Sequence, residues 1–134
     1  MRLIELQTFL IENNPDIISI NETKLSEEKA NLSLRFDNYI PYHRCRKNNA
    51  VFGGGIAILI KDTITHTVIS DLDVNDIEVL ALKIDHFDYS FNFVSYYSSP
   101  KELINFNLFG KLLNMENEFI LVGDLNAKSK VIGW

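Results

Sequence analysis

The segment Glu118–Ser129, with the sequence EFILVGDLNAKS, constrains the fold of this chain more than any other. Its apolar part, Phe119–Val122, is long enough for one buried strand, and that strand stops at Gly123. Asp124 and Asn126 then follow two residues apart, in a loop that the sheet holds in place. An acid at such a position can orient or deprotonate a water molecule, and an amide can donate to a phosphate oxygen. The same pattern also fits an ordinary Asx-type turn, in which Asp and Asn are common.

Composition limits the class of protein. With 134 residues the chain fits one domain with a real core, and 46% hydrophobic residues are typical of a folded globular protein. The single cysteine, Cys45, excludes an internal disulfide and a multi-cysteine zinc site, and it favours a reducing compartment. A net charge of −5 argues against a general electrostatic grip on nucleic acid, but it is compatible with a metal-dependent nuclease, whose site is acidic. No apolar run approaches the length of a membrane helix, so we expect no membrane partner.

Apolar periodicity predicts a β-sheet that mixes parallel and antiparallel strands and is covered by two helices. The helices are predicted at 2–13 and 100–113, and the strands near 16–21, 39–44, 55–61, 78–84, 89–97 and 118–123. A weaker strand pattern lies at Ile64–Ile69, and residues 26–36 fit a short helix or an irregular turn. The second long helix is predicted to begin at a capping box, Ser99–Glu102, with proline at its first helical position.

Three further segments carry glycine or charged residues. Gly53–Gly55 precedes an apolar run, whereas a phosphate-binding glycine loop needs a helix after it, so we interpret these glycines as a flexible lead-in or bulge. Glu22 follows a predicted strand, and ligands bind at such strand ends in α/β sheets, although an exposed loop glutamate also fits. The basic residues Arg44, Arg46 and Lys47 fit either a solvated loop or a contact with a phosphate backbone.

Four blocks of sequence, in order along the chain, resemble the endonuclease/exonuclease/phosphatase superfamily. The closest resemblance is to the apurinic-type endonuclease domain of non-LTR retrotransposon (jockey-like) polyproteins. The blocks are PDIISINETKL at Pro15–Leu25, FGGGIAILIK at Phe52–Lys61, SYYSSP at Ser95–Pro100 and GDLNAK at Gly123–Lys128. This resemblance implies an α/β (α+β) fold, a partial four-layer α/β sandwich over residues 1–134. The first strand and the C-terminal half of the family's domain are expected to be absent.

The resemblance also implies a site built from four side chains. Glu22 would bind a divalent ion, Mg²⁺ or Mn²⁺, as a hard oxygen ligand, and Asp124 would position or activate the attacking water. Asn126 would hold a phosphate oxygen. Tyr97, which closes an aromatic face and also fits plain packing, would contact the phosphate or the leaving group. We therefore expect Glu22 and Asp124 at the same edge of the sheet, so that one hydrated ion touches Glu22 while Asp124 faces its water.

The function implied by the resemblance is a metal-dependent DNA endonuclease of a non-LTR retrotransposon. Its partners would be DNA and a reverse-transcriptase domain in the same polyprotein, and its location would be intracellular, in the nucleus. Ser129 stands where retroelement members usually carry His, and Ile132 where they carry Trp, so we expect little or no cleavage by these 134 residues alone. Alternatives are another phosphoesterase of the superfamily, acting on inositol phosphates, lipids or RNA, and a non-catalytic remnant that serves as a binding module.

Overall fold

The computed structural model describes residues 2–46, 54–72, 77–101 and 105–126. Each predicted main strand is confirmed, with its ends within one residue of the prediction. The weak pattern at 64–69 forms a short strand, and residues 26–36 contain a short helix. In chain order the elements are α1 (Leu3–Asn13), β1 (Ile17–Asn21), α2 (Glu27–Ser33), β2 (Tyr39–Arg44), β3 (Ile56–Lys61), β4 (His66–Val68), β5 (Glu78–Asp85), β6 (Ser90–Tyr97), α3 (Phe106–Leu113) and β7 (Phe119–Val122).

The strands form two sheets, which confirms the partial four-layer sandwich implied by the family resemblance. The single mixed sheet predicted from apolar periodicity was wrong. The first sheet has the order β1-β3-β2 and is antiparallel throughout. The second has the order β4-β5-β6-β7, in which β6 and β7 are parallel and the other neighbours are antiparallel. Apolar periodicity shows which face of a strand is buried but not which strand lies beside it, so the prediction could not separate the two sheets.

One layer of the apolar core lies between the two sheets, and a further layer lies on the outer face of each sheet. Ile58 and Ile60 of the first sheet pack with Leu82, Ile84 and Phe93 of the second. On the outer face of the first sheet, Ala57 packs against Ala30 and Leu34, from α2 and the residue that follows it. On the outer face of the second sheet, residues of β5 and β6 pack against Leu108 and Leu112 of α3. The result is the helix–sheet–sheet–helix arrangement of a four-layer sandwich, and β3 is buried because it is covered on both faces.

Helix α3 begins later than predicted. Its N-cap is Asn105, whose side chain accepts a hydrogen bond of 3.0 Å from the Leu108 amide. Ser99 instead accepts a hydrogen bond of 3.3 Å from the Lys101 amide, in a turn that is not helical. The prediction of a helix-capping box at Ser99 was therefore wrong, because a serine side chain accepts a backbone hydrogen bond in a turn as readily as at the start of a helix. Glu102, its other member, lies outside the described residues.

Helix α3 has only eight residues and α1 only eleven. Among the described residues, no helix is long and apolar enough to cross a bilayer.

Candidate active site

Glu22 stands directly after β1, in a backbone conformation that is unusual for its residue type. Its φ angle is 54°, in the left-handed region, and its side chain is exposed. Two hydrogen bonds hold the next residues in place, from the Thr23 amide to the Gly55 carbonyl (3.1 Å) and from the Lys24 amide to the Gly54 carbonyl (2.9 Å). A strained conformation persists only where neighbouring structure fixes it, so the segment 22–24 is fixed by the chain that leads into β3.

Gly54 and Gly55 are buried, and their carbonyl groups accept the hydrogen bonds from Thr23 and Lys24. Both have positive φ angles, 74° and 86°. A Cβ atom at Gly54 would lie 2.5 Å from Nε of Arg46 and 2.7 Å from Oε1 of Glu78, and a Cβ atom at Gly55 would overlap Oγ1 of Thr23. Gly53 lies outside the described residues. Gly54 and Gly55 lead directly into β3, as expected, but side chains pack closely against their backbone, so these two glycines are not a flexible segment. Their backbone is fixed, and glycine is needed because side chains approach it closely.

Tyr97, at the end of β6, contacts Glu22 directly. Its hydroxyl donates a hydrogen bond of 2.6 Å to Oε1 of Glu22, and its side chain is buried. Burial raises the pKa of Tyr97 to about 12, helped by the hydrogen bond and the charge of Glu22, whereas the cation and a hydrogen bond of Arg46 lower it. The phenol is therefore protonated at neutral pH, and Tyr97 acts as a hydrogen-bond donor. The packing role expected from the sequence accounts for the ring but not for the hydroxyl.

Asp124 and Asn126 follow β7, in a loop that lies against the chain after Tyr97. The Ser98 amide donates to the Asp124 carbonyl (2.9 Å), and Nδ2 of Asn126 donates to the Ser98 carbonyl (2.6 Å). The Asn126 amide donates to Oδ1 of Asp124 (3.0 Å), which is the Asx-type turn that the sequence left open. This turn does not exclude a role at a site, because the bond occupies only one oxygen of the exposed Asp124 carboxylate.

The four predicted site residues thus lie at one end of the two-sheet stack. Glu22 bonds Tyr97, and the loop of Asp124 and Asn126 bonds Ser98, which is the next residue after Tyr97. The parallel pairing of β6 with β7 makes both strands end at the same edge of the second sheet. The two sheets pack face to face and are linked by a hydrogen bond of 2.6 Å between Ser19 and Ser95. This packing places the end of β1 next to the ends of β6 and β7.

Near this end, Oδ1 of Asn21 and Oγ of Ser98 are buried and have no hydrogen-bond partner among the residues that the structure describes. Asn21 directly precedes Glu22, and its side-chain nitrogen Nδ2 lies 3.2 Å from the position that a Cβ atom on Gly123 would take. A buried polar atom without a partner is costly unless a water or an ion satisfies it. Carboxylate, amide and hydroxyl oxygens are the donors that Mg²⁺ prefers, so the residues present fit a hydrated Mg²⁺ ion.

The site is nevertheless poor in ionisable ligands. Among the residues that the structure describes, no group of three or more His, Cys, Asp or Glu side chains could hold a metal ion. Mg²⁺ keeps several waters and is bound through one or two carboxylates together with substrate phosphate, so the single carboxylate of Glu22 is compatible with such an ion. Lys47, Ser129 and Ile132, which the sequence singled out, lie outside the described residues.

Arg46 and Glu78 form an ion pair at this end of the structure that was not predicted from the sequence. Arg46 pairs with Glu78 over 3.0 Å, and only 21% of its side chain is exposed, so the solvated loop does not fit this residue. Glu78 is buried at the start of β5, opposite Tyr97 in the strand register. The available signal was an acidic residue at the start of a mostly apolar strand, since a carboxylate is rarely buried unless it is paired.

The comparison with protein families agrees with this geometry. The endonuclease/exonuclease/phosphatase family model matches residues 2–130. The chain belongs to the endonuclease/exonuclease/phosphatase family. The comparison with curated protein sequences gave no match.

Several solved structures share the fold of the chain. The endonuclease domain of TRAS1, a telomere-specific non-LTR retrotransposon, has a TM-score of 0.69 at 20% identity, over 93% of this chain and 54% of that domain. A humanised TDP2 from D. rerio has 0.63 at 15% identity, over 98% and 62%. The 3′ phosphatase NExo from Neisseria, bound to a product DNA hairpin, has 0.60 at 19% identity, over 93% and 52%. The chain therefore spans between half and two thirds of the length of these structures.

Proposed function

We propose that this chain carries a metal-dependent phosphodiesterase site that acts on DNA, of the type found in non-LTR retrotransposon endonucleases. The observation that carries the proposal is the hydrogen bond between Tyr97 and Glu22, next to the loop of Asp124 and Asn126. Residues from three distant parts of the sequence meet there, and the family's reaction needs a carboxylate, a hydroxyl and an amide in one place.

In this proposal each side chain has one task. Glu22 holds the divalent ion through its carboxylate, with the Tyr97 hydrogen bond fixing one oxygen and leaving the other for the ion. Asp124, oriented by the Asn126 amide, accepts a proton from the attacking water. Asn126 uses one amide hydrogen on Ser98 and has the second for a phosphate oxygen. When bound, Mg²⁺ neutralises charge on the phosphoryl oxygens.

Support for DNA as the substrate comes from the fold relatives. TRAS1 is a retrotransposon endonuclease, one D. rerio TDP2 structure contains a single-strand DNA product, and NExo was solved with a DNA hairpin. A retrotransposon role would also place a reverse-transcriptase domain in the same polyprotein and the protein in the nucleus. The net charge of −5 means that DNA binding would depend strongly on the metal ion and on local cations.

Two measurements on the chain test this function. Mn²⁺ binding is followed by water proton relaxation, with Mg²⁺ as a competitor, and nicking of supercoiled DNA is followed at saturating Mg²⁺. We expect Mn²⁺ binding that Mg²⁺ displaces and that is at least about tenfold weaker in Glu22→Gln, because a charged oxygen ligand is lost. Glu5→Gln, on exposed α1, is the control and should bind Mn²⁺ normally.

We expect little nicking by the chain alone, and Asp124→Ala should abolish what there is. Unchanged Mn²⁺ affinity in Glu22→Gln, or Mg²⁺-dependent nicking that survives Asp124→Ala, would refute the assignment. DNA binding that is the same in the unchanged chain, in Glu22→Gln and in Asp124→Ala would favour the non-catalytic binding module. Hydrolysis of RNA or an inositol phosphate in place of DNA would favour another phosphoesterase.

A further inference from the structure

We propose that Arg46, anchored by Glu78, is a positioning residue of the candidate site, which acts on Glu22 by holding the Tyr97 side chain. This inference rests on the proposed function for the importance of Glu22. The contacts that carry it do not depend on a metal ion or a substrate.

The first step is the anchoring of Arg46. Glu78 is buried, and its two oxygens have separate partners, since Oε1 accepts from the Gly55 amide and Oε2 from Nη2 of Arg46. Glu78 is buried and only 21% of the Arg46 side chain is exposed, so any arrangement that separates them leaves the Glu78 carboxylate buried without its cation. The ion pair therefore fixes the orientation of the Arg46 guanidinium group.

The second step is the contact between Arg46 and Tyr97. The guanidinium carbon lies 5.8 Å from the centre of the Tyr97 ring, within the range of a cation–π interaction. Glu78 and Tyr97 are also direct partners in the register of β5 and β6. The ring is thus held from the side of β5, and its hydroxyl reaches Oε1 of Glu22 at 2.6 Å.

The third step concerns Gly54, which connects the ion pair to the Glu22 loop. A Cβ atom there would collide with both Arg46 and Glu78, so the ion pair closes directly over the Gly54 backbone. The Gly54 carbonyl accepts from the Lys24 amide, two residues after Glu22. The same short segment therefore supports the ion pair on one side and the Glu22 loop on the other.

The chain of contacts runs from Glu78 through Arg46 and Tyr97 to Glu22. Guanidinium is planar and charged at every relevant pH, so it can hold the ring without titrating itself. Without Arg46 the Tyr97 hydroxyl would keep its bond to Glu22 for a smaller fraction of the time. Glu22 would then lose the fixed orientation that a metal ligand needs.

The test measures the Tyr97 hydroxyl directly by NMR. The chain is labelled with ¹³Cζ-tyrosine, and hydroxyl exchange is read from the deuterium isotope shift. Of the five tyrosine signals, the one lost in Tyr97→Phe is assigned to Tyr97. We expect exchange roughly fivefold faster in the double variant Arg46→Met/Glu78→Gln, which removes both charges together, as for the loss of one hydrogen bond's net contribution. Arg2→Met/Glu5→Gln removes an exposed ion pair and should leave the exchange unchanged.

A second signal tests whether Arg46 acts through Tyr97. The Glu22 carboxyl carbon, labelled with ¹³C and assigned by its loss in Glu22→Gln, should shift in the double variant. In the Tyr97→Phe background the double variant should cause no further shift. An equal shift in both backgrounds would mean a direct charge effect and would overturn the proposal.

Exchange within twofold of the unchanged chain, in a variant with an otherwise native spectrum, would also overturn the proposal. If the double variant does not fold, Glu78→Gln alone is judged by the same criteria. Both NMR measurements are made without metal ions and without DNA. Failure of the proposed function, seen in Mn²⁺ binding to Glu22→Gln, is therefore distinct from failure of this inference.

Discussion

Gly55→Ala tests the close packing under the Glu22 loop. Gly55 has a φ angle of 86°, and an L-residue in a left-handed conformation loses about 1–2 kcal/mol. The new methyl group would also overlap Oγ1 of Thr23, and overpacking of this kind costs about 1–3 kcal/mol. We therefore expect Gly55→Ala to lower the free energy of unfolding by roughly 2–5 kcal/mol, measured by urea denaturation.

The two contributions can be separated with Thr23→Ala. The other atoms near a Cβ at Gly55 lie 3.7 Å away, which is ordinary contact, so removing Oγ1 removes the overlap and leaves only the backbone strain. In the Thr23→Ala background Gly55→Ala should therefore cost only about 1–2 kcal/mol. Gly110→Ala is the matched control, because Gly110 lies in α3 with open space around its Cα, and the change should stabilise by about 0.5–1 kcal/mol. Equal costs of Gly55→Ala in both backgrounds would refute the reasoning.

Two other predictions concern stability. Leu108→Ala in the core beneath α3 should lower the free energy of unfolding by about 2–5 kcal/mol, whereas Leu113→Ala, on the exposed face of the same helix, should change it by less than about 0.5 kcal/mol. Similar urea midpoints for the two variants would contradict the packing of Leu108 in the core beneath α3. The raised pKa of Tyr97, about 12 in the folded chain against 10.0, favours folding below pH 10, and this contribution is lost as the pH rises from 10 to 12. Across that window the unfolding free energy should fall by roughly 2–3 kcal/mol more in the unchanged chain than in Tyr97→Phe, and parallel pH profiles would contradict it.

The strands and the ends of β1 and β7 could be predicted because short apolar runs indicate strands, although β1 and β7 are only partly buried. Glu22 and Asp124 could be chosen because each follows such a run, and the family resemblance linked them. The start of α3 could not be predicted, because Ser99 and Asn105 are both good capping residues and only tertiary packing selects between them. Arg46 and Glu78 lie 32 residues apart in sequence, and no local pattern predicts that a distant arginine and glutamate will pair.

The pairing of Ser19 with Ser95 also has a consequence for how the chain folds. The two serines are 76 positions apart, and Glu22 and Tyr97 are 75 apart, so both contacts close a loop of more than half the chain. Contacts of such separation form late, because the entropy of closing a long loop must be lost before they contribute stability. Each sheet can begin to assemble from its own hairpins, but the site cannot exist in a partly folded chain. Appearance of the Tyr97–Glu22 bond during refolding therefore marks the step at which the two sheets dock.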